Sequence, residues 1–177
     1  NLHTHTTYSD GKHTVRENIE SAIEKQMLSI GISDHSYTDF DLTYCIKKED
    51  IPRYIDEIRA LREEYADRIE VYLGLELDGY ATLEDRALYD YVIGDCHYVP
   101  TVDGRQSIDH SEKGFVEVSN KYFGGDHIAF AKRYYETYAE RIPLIRPDIL
   151  GHFDLITKFG YIDEEDRAYR SAALEAL

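Results

Sequence analysis

The feature that most constrains the fold of this 177-residue chain is its regular alternation of short apolar segments with longer amphipathic ones. The short segments have the length and composition of β-strands, and the longer ones repeat apolar residues at helical spacing. Such alternation predicts an α/β fold with a mostly parallel sheet, either open or part of a closed barrel. The predicted strands are 28–33, 69–75, 91–94 and 148–151, and the predicted helices are 14–26, 50–65, 126–141 and 163–177.

Two of the predicted helices carry clear local signals. Thr14 and Glu17 have the spacing of a capping box, which predicts that the first helix begins there. The second helix has an apolar stripe formed by Ile51, Ile55, Ile58 and Leu61.

Charge and composition exclude several classes of function. The formal net charge is -15, which argues against broad contact with a nucleic-acid backbone or an anionic membrane. A small anionic substrate stays compatible with this charge, because bound divalent cations reverse the local field. No segment has the roughly 18 consecutive apolar residues of a membrane helix. With only Cys45 and Cys96, we expect a cytoplasmic protein with reduced thiols.

Potential metal ligands follow the predicted strands. In parallel α/β folds, side chains at the carboxyl ends of the strands meet at one edge of the sheet. Imidazole and carboxylate together suit zinc, manganese or iron, and a glutamate is suited to bridge paired ions. His3 and His5 are alternate residues, so in an extended segment they point to the same side. The candidate ligands are His3, His5, Asp10, His35, Glu76, His97 and His152.

Each candidate has an ordinary alternative. A single histidine at a strand end is usually a satisfied polar residue, so the argument depends on the coincidence at several strand ends. Glu76 follows an apolar run, where a carboxylate is costly to bury unless a cation compensates it. A buried ion pair is the alternative for Glu76. The remaining histidines are expected to have no metal role: His13, His110 and His127.

The order of these motifs resembles that of the PHP (polymerase and histidinol phosphatase) superfamily. The resemblance runs from the first residue to about Gly160, and its runs around Glu76 and His152 are most similar to those of histidinol-phosphatases. The matching stretches are Leu2 to Gly11, Ser33 to His35, Gly74 to Asp78, Asp95 to Val99 and Asp148 to Asp154.

The resemblance implies a distorted (β/α)7 TIM-like barrel that holds two or three divalent metal ions. It places His3 and His5 on one ion and has Glu76 bridge this ion to a second, which His97 and His152 complete. Asp10 and His35 would hold the third. The implied reaction is hydrolysis of L-histidinol phosphate in histidine biosynthesis, with Glu76 and His97 as catalytic residues.

Residues around the ligands have expected supporting roles. Asp34 and Asp95 precede ligands and are expected to orient their imidazoles. Lys158 and Arg105 are the candidates for contact with the substrate phosphate. Cys96 is expected to pack rather than react.

The chain departs from the family pattern at two places. The family has a late Asp-x-His pair, whereas the last histidine here is His152. We therefore expect one domain over residues 1–177 whose C-terminal part is missing. Many histidinol-phosphatases also carry an arginine where this chain has Thr157, which is followed by Lys158.

Three other functions stay open at this point. The first is a phosphoesterase of the same superfamily that acts on a nucleotide or another small phosphate ester. The second is an exonuclease-like module of a polymerase, which the net charge disfavours. The third is a metal-binding domain without catalysis. The oligomeric state cannot be determined from the sequence.

Overall fold

The computed structural model describes residues 1–83 and 85–177. These residues group into two compact units, Asn1–Gly94 with Pro147–Leu150 and Asp95–Arg146 with Gly151–Leu177. In chain order the helices and strands are α1 (Val15–Glu24), β1 (Ser29–Ile32), α2 (Ile51–Glu64), β2 (Glu70–Asp78), β3 (Tyr91–Asp95), β4 (Tyr98–Thr101), β5 (Gly104–Ser107), α3 (Glu112–Phe123), α4 (His127–Ile145), β6 (Ile149–Leu150) and α5 (Arg167–Glu175).

The first unit is organised around a sheet with the strand order β1-β2-β3-β6. β1 pairs with β2 in parallel, with Ser29 opposite Glu70, and β3 pairs with β6 in parallel, with Ile93 opposite Ile149. This confirms the predicted α/β fold with a parallel sheet. Closure into a seven-stranded barrel and the single-domain boundary stay predictions.

Tyr91, the first residue of β3, explains why β1 and β2 each contain a glycine. Its hydroxyl donates a hydrogen bond to the carbonyl of Leu2. A Cβ at Gly74 would lie 2.2 Å from Tyr91 Cζ, and a Cβ at Gly31 would lie 2.1 Å from Tyr91 Oη. Real Cβ contacts are never this short, so glycine at both positions lets the tyrosine cross β2 and β1 and hold the N-terminal segment.

The helices of the first unit form as their local signals predict. The Thr14 side chain accepts from the Glu17 N–H, and the Glu17 carboxylate accepts from the Thr14 N–H, so the capping box is confirmed. In α2, Ile55, Ile58 and Leu61 are buried as predicted. Ile51 is only half-buried because it is the first residue of the helix, and Tyr54 is the buried residue of that turn.

The second unit combines an antiparallel hairpin with helices. β4 pairs with β5, with Tyr98 opposite Ser107. The sequence pattern did not predict this hairpin, although residues 101–113 include β5 and the start of α3. The missed signal was Asp103-Gly104, a frequent hairpin-turn pair, in which Gly104 takes φ +99°. Helix α3 was also not predicted.

Aromatic side chains dominate the core of the second unit. The fully buried members include Phe115, Phe130, Tyr134, Tyr135 and Tyr138. Cys96 belongs to the same cluster, and its thiol donates to the Tyr98 carbonyl at 3.3 Å, in agreement with the expected packing role. Across the described part of the chain, no helix has both the length and the apolar character that a bilayer crossing requires.

Candidate metal centre

The N-terminal segment that carries His3 and His5 runs beside β1. Gly31 N–H donates to the carbonyl of Asn1 at 2.7 Å, and Ser33 N–H donates to the carbonyl of Thr4 at 2.9 Å. No strand is assigned to these residues, but the pairing keeps the segment extended. His3 and His5 therefore face the same side, as their spacing predicts.

His5, His35 and Glu76 bring their ligand atoms together. His5 Nε2 lies 2.8 Å from Glu76 Oε2, and His35 Nδ1 lies 2.7 Å from the same oxygen. One ligand atom from each of the three residues falls within 4.8 Å of the others. The ring centroids of His5 and His35 are 4.3 Å apart. Residues separated by 30 to 71 positions in the chain thus converge on one carboxylate.

His3 extends this cluster on the other oxygen of Glu76. His3 Nε2 lies 3.1 Å from Glu76 Oε1 and 3.1 Å from His5 Nε2. Each oxygen of the carboxylate therefore has an imidazole nitrogen close to it. This is the arrangement that a glutamate needs to bridge two cations.

Glu76 lies inside β2 and not after its end. The predicted strand ends at Leu75, but β2 continues to Asp78. His35 pairs with Glu76 in an isolated parallel bridge beyond β1, which sets the two side chains next to each other. The Glu76 side chain has 0% exposure, so its charge is shielded from water and requires a positive partner.

Asp10 acts on His5. Its Oδ1 lies 2.8 Å from His5 Nδ1, while Oδ2 lies 3.8 Å from His35 Nε2. An ionised carboxylate only accepts hydrogen bonds, so Nδ1 of His5 is the donor. In the neutral imidazole, Nε2 then keeps a lone pair on the side of Glu76. Asp10 therefore orients the His5 ring in the way that ligand imidazoles usually require.

The charges around His5 favour its protonated form when no metal is bound. Burial opposes the charged form, but the carboxylates of Asp10 and Glu76 outweigh it and raise the pKa of His5 to about 10. The same pairing lowers the pKa of Asp10. A proton on His5 thus compensates part of the negative charge that a cation would otherwise compensate.

The contacts of Asp34 differ from its predicted role, which was to orient an imidazole. Its buried carboxylate accepts from the Thr6 N–H at 2.6 Å, from the Thr6 hydroxyl at 2.9 Å and from the Ser9 hydroxyl at 2.5 Å. Burial raises the pKa of Asp34, although these hydrogen bonds oppose the rise. Asp34 therefore holds the backbone between His5 and Asp10 rather than an imidazole. The motif could not show this, because Thr6 and Ser9 lie 25 or more residues away in the chain.

The second unit contains its own group of predicted residues. His152 Nδ1 lies 3.1 Å from Asp95 Oδ1, and the orienting role of Asp95 stays a prediction. The rings of His97 and His152 are 5.0 Å apart. A Cβ at Gly151 would lie 2.2 Å from Asp95 Oδ1, so glycine is needed for this close approach. Asp95 and His97 are buried, and His152 is partly exposed.

Lys158 and Arg105 are the two basic side chains that were predicted to contact the substrate phosphate. Lys158 Nζ donates to the carbonyl of Asp109 at 3.0 Å and to its Oδ2 at 3.2 Å. Arg105 lies exposed on β5 of the hairpin. Lys158 is therefore already part of an ion pair, which makes it a poorer candidate than its place in the sequence indicates.

The other three histidines have different surroundings. His13 and His110 are exposed. His127 Nδ1 lies 2.9 Å from the Ser119 hydroxyl, and its ring stacks on Phe115 with centroids 5.6 Å apart. His127 therefore links α3 to α4 and has a structural role.

The donor set of the first unit fits a divalent transition metal. Imidazole nitrogens and a carboxylate oxygen are the ligands that zinc, manganese and iron accept. The carboxylate is fully buried and the imidazoles converge on it, as a metal site requires and a solvated surface cluster does not.

Comparison with known proteins agrees with this geometry. The profile of the PHP domain matches residues 1–177. The chain belongs to the PHP domain family. A relative from Deinococcus radiodurans named "Probable histidinol-phosphatase" is 33% identical, over 93% of this chain and 63% of the relative. This PHP chain thus spans less than two thirds of that relative's length.

Solved structures show the same fold. A candidate histidinol phosphatase from Listeria monocytogenes superimposes on this PHP chain with a TM-score of 0.76 at 21% identity, over 99% of the chain and 75% of that structure. A histidinol phosphate phosphatase from Lactococcus lactis, solved with zinc, L-histidinol and phosphate, has a TM-score of 0.64 at 18% identity, over 99% of the chain and 66% of that structure. At these identities the likeness concerns the fold.

Proposed function

We propose that this PHP protein is a metal-dependent phosphatase that hydrolyses L-histidinol phosphate to L-histidinol and phosphate in the cytoplasm. The observation that carries the proposal is the convergence of His3, His5 and His35 on the buried carboxylate of Glu76. The family and the name of the relative from Deinococcus radiodurans support the choice of reaction.

The proposed ligands form one group in each compact unit. The first unit supplies one group and the second unit supplies His97 and His152. When bound, divalent ions neutralise phosphoryl oxygens and lower the pKa of a water molecule, so that hydroxide is available near neutral pH. In the first unit the proposed ligands are His3, His5, Asp10, His35 and Glu76.

The chain's own residues prepare the first-unit part of this site. Asp10 directs the His5 ring, and the buried position of Glu76 excludes water from its carboxylate. A fixed arrangement of ligands needs no reorganisation during the reaction, which is the usual source of catalytic power in such sites. Glu76 and His97 are the proposed catalytic residues, and Asp95 the proposed orienting partner of His152.

Two further features belong to the same proposal. Arg105 and Lys158 are proposed to approach the phosphate, which for Lys158 requires exchange of its contact with Asp109. The sheet of the first unit is proposed to be part of the distorted seven-stranded barrel of the family. The proposal includes a single domain over residues 1–177.

The experiment combines metal analysis with a substrate panel. The purified protein is expected to hold at least two equivalents of zinc, manganese or iron and to hydrolyse L-histidinol phosphate faster than nucleoside monophosphates. Chelation should abolish the activity, and added metal should restore it. Glu76→Gln is expected to lower the rate by at least about 100-fold, since ligand-sphere changes cost 10–100-fold even when indirect. Glu63→Gln, an exposed change on α2, is the matched control.

The other outcomes separate the alternatives. Faster hydrolysis of nucleotides would point to a different phosphoesterase of the family. Tight metal binding without hydrolysis of any ester would point to a metal-binding domain without catalysis. Full turnover by Glu76→Gln would remove the proposed mechanism.

A further inference from the structure

The parallel ladder between β1 and β2 keeps one register but is interrupted just before the metal ligands. Ile32 pairs with Leu73 at the end of β1. The same register resumes three residues later, where His35 pairs with Glu76. The interruption therefore falls on Ser33 and Asp34.

The hydroxyl of Tyr54 lies in this interruption. Tyr54 projects from α2 and is fully buried. Its Oη accepts a hydrogen bond from the Asp34 N–H at 3.2 Å. The same oxygen lies 2.9 Å from the carbonyl of Gly74 and 3.1 Å from the carbonyl of Ile32.

The hydroxyl takes the place of a direct bond between the strands. In an uninterrupted parallel ladder, an N–H of one strand donates directly to a carbonyl of its neighbour. Here Tyr54 Oη accepts from Asp34 on one side and can donate its one proton to Gly74 or Ile32 on the other. The hydroxyl oxygen thus forms a bridge between Asp34 and Gly74 in place of a direct bond.

The ladder closes again immediately afterwards. Glu76 N–H donates to the carbonyl of Asp34 at 3.1 Å, and Ser36 N–H donates to the carbonyl of Glu76 at 2.8 Å. His35 and Glu76 thus sit on a short re-formed ladder whose start depends on Tyr54. Their side chains approach to 2.7 Å between Nδ1 and Oε2.

We propose that Tyr54 is a positioning residue for the metal centre, whose hydroxyl sets the spacing of the two strand ends that carry His35 and Glu76. It acts through the backbone and does not contact the metal. The inference rests on the metal site proposed above and adds to it a residue from α2, an element that supplies no ligand.

The test measures metal binding separately from stability. Co²⁺ serves as the probe, because its visible absorption reports ligand geometry, and urea unfolding in chelator reports stability. Tyr54→Phe is expected to weaken Co²⁺ binding about 10-fold or more and to alter the spectrum, as loss of an orienting partner does elsewhere. 4-Aminophenylalanine at position 54, which keeps a donor and an acceptor, should restore much of the binding.

Tyr135→Phe is the matched control for a buried tyrosine hydroxyl. Its hydroxyl lies 2.8 Å from the hydroxyl of Tyr169 in the second unit. Tyr169 is not one of the proposed ligands. This variant is expected to lose stability while keeping the wild-type Co²⁺ affinity and spectrum. A structural role alone would make the two variants behave alike.

Several results would decide against the inference. Wild-type affinity and spectrum in Tyr54→Phe would overturn it and leave the proposed metal site intact. Failure of the wild-type protein to bind Co²⁺ would overturn both. If Tyr54→Phe does not fold, 3,5-difluorotyrosine at position 54 keeps the shape but changes the hydrogen-bond strength. A shifted Co²⁺ spectrum then supports the inference, and an unshifted spectrum overturns it.

Discussion

At the scale of single residues, the first-unit site depends on one carboxylate that water does not reach. The Glu76 side chain is fully buried, and imidazole nitrogens lie within about the length of a hydrogen bond of both its oxygens. Such a charge is stable only with positive compensation. In the absence of metal, the proton favoured on His5 supplies part of it. The Asp10 carboxylate completes the arrangement, because it decides which nitrogen of His5 faces Glu76.

Asp10→Asn tests this orienting contact. The amide can donate as well as accept, so the Nδ1 proton of His5 loses its defined acceptor. Metal affinity is expected to fall about 10–100-fold, measured by competition with a chromophoric chelator. Asp56→Asn, an exposed change of the same type on α2, should leave the affinity unchanged. Equal affinities in both variants would show that Asp10 has no role at the centre.

At the scale of elements, tyrosines connect the strands and segments that carry the ligands. Tyr91 crosses Gly74 and Gly31 to reach the carbonyl of Leu2, the residue before His3. Tyr54 bridges β1 and β2 just before His35 and Glu76. These contacts tie the elements together on both sides of the proposed ligands.

Gly74→Ala tests the crossing by Tyr91. The new Cβ would lie 2.2 Å from Tyr91 Cζ, so the ring must move. The free energy of unfolding is expected to fall by about 1–3 kcal/mol, as for other overpacked sites, measured by urea denaturation.

Tyr91→Leu provides the control for that change. It removes the ring and also costs stability, but the double variant should lose about 0.5–3 kcal/mol less than the two single losses together, since the residues are in contact. Strict additivity would show that the ring does not limit residue 74.

At the scale of the whole molecule, the net charge of -15 and the buried carboxylate both favour the binding of a cation. Negative charges that repel one another in the folded chain are relieved by a bound cation, so metal binding and folding are expected to be coupled. The second unit has an aromatic core of its own.

Zinc is therefore expected to stabilise the fold. At free Zn²⁺ 100-fold above its dissociation constant, the free energy of unfolding should rise by about 2.7 kcal/mol, and the melting temperature should rise with it in a calorimetric scan. EDTA should reverse the shift. Glu76→Gln should show little of it, and an equal shift in this variant would place the bound zinc elsewhere.

The sequence by itself determined the type and order of most elements. The strands and helices around residues 30, 58, 73, 93 and 135 follow from apolar periodicity, and Thr14 with Glu17 predicted a helix start, because these signals depend only on neighbours in the chain. The histidines and Glu76 were predicted as ligands because parallel strands end at a common edge. The hairpin of β4 and β5 was missed although Asp103-Gly104 indicates a turn.

Only the tertiary structure decided which side chain supports which ligand. Asp34 was expected to hold an imidazole but binds Thr6 and Ser9, while Asp10 takes the orienting role. The roles of Tyr54 and Tyr91 had no sequence signal at all. Their hydroxyls reach backbone carbonyls 20 to 90 residues away. Such contacts depend on the distance between elements after packing, and the local pattern of a chain does not contain that distance.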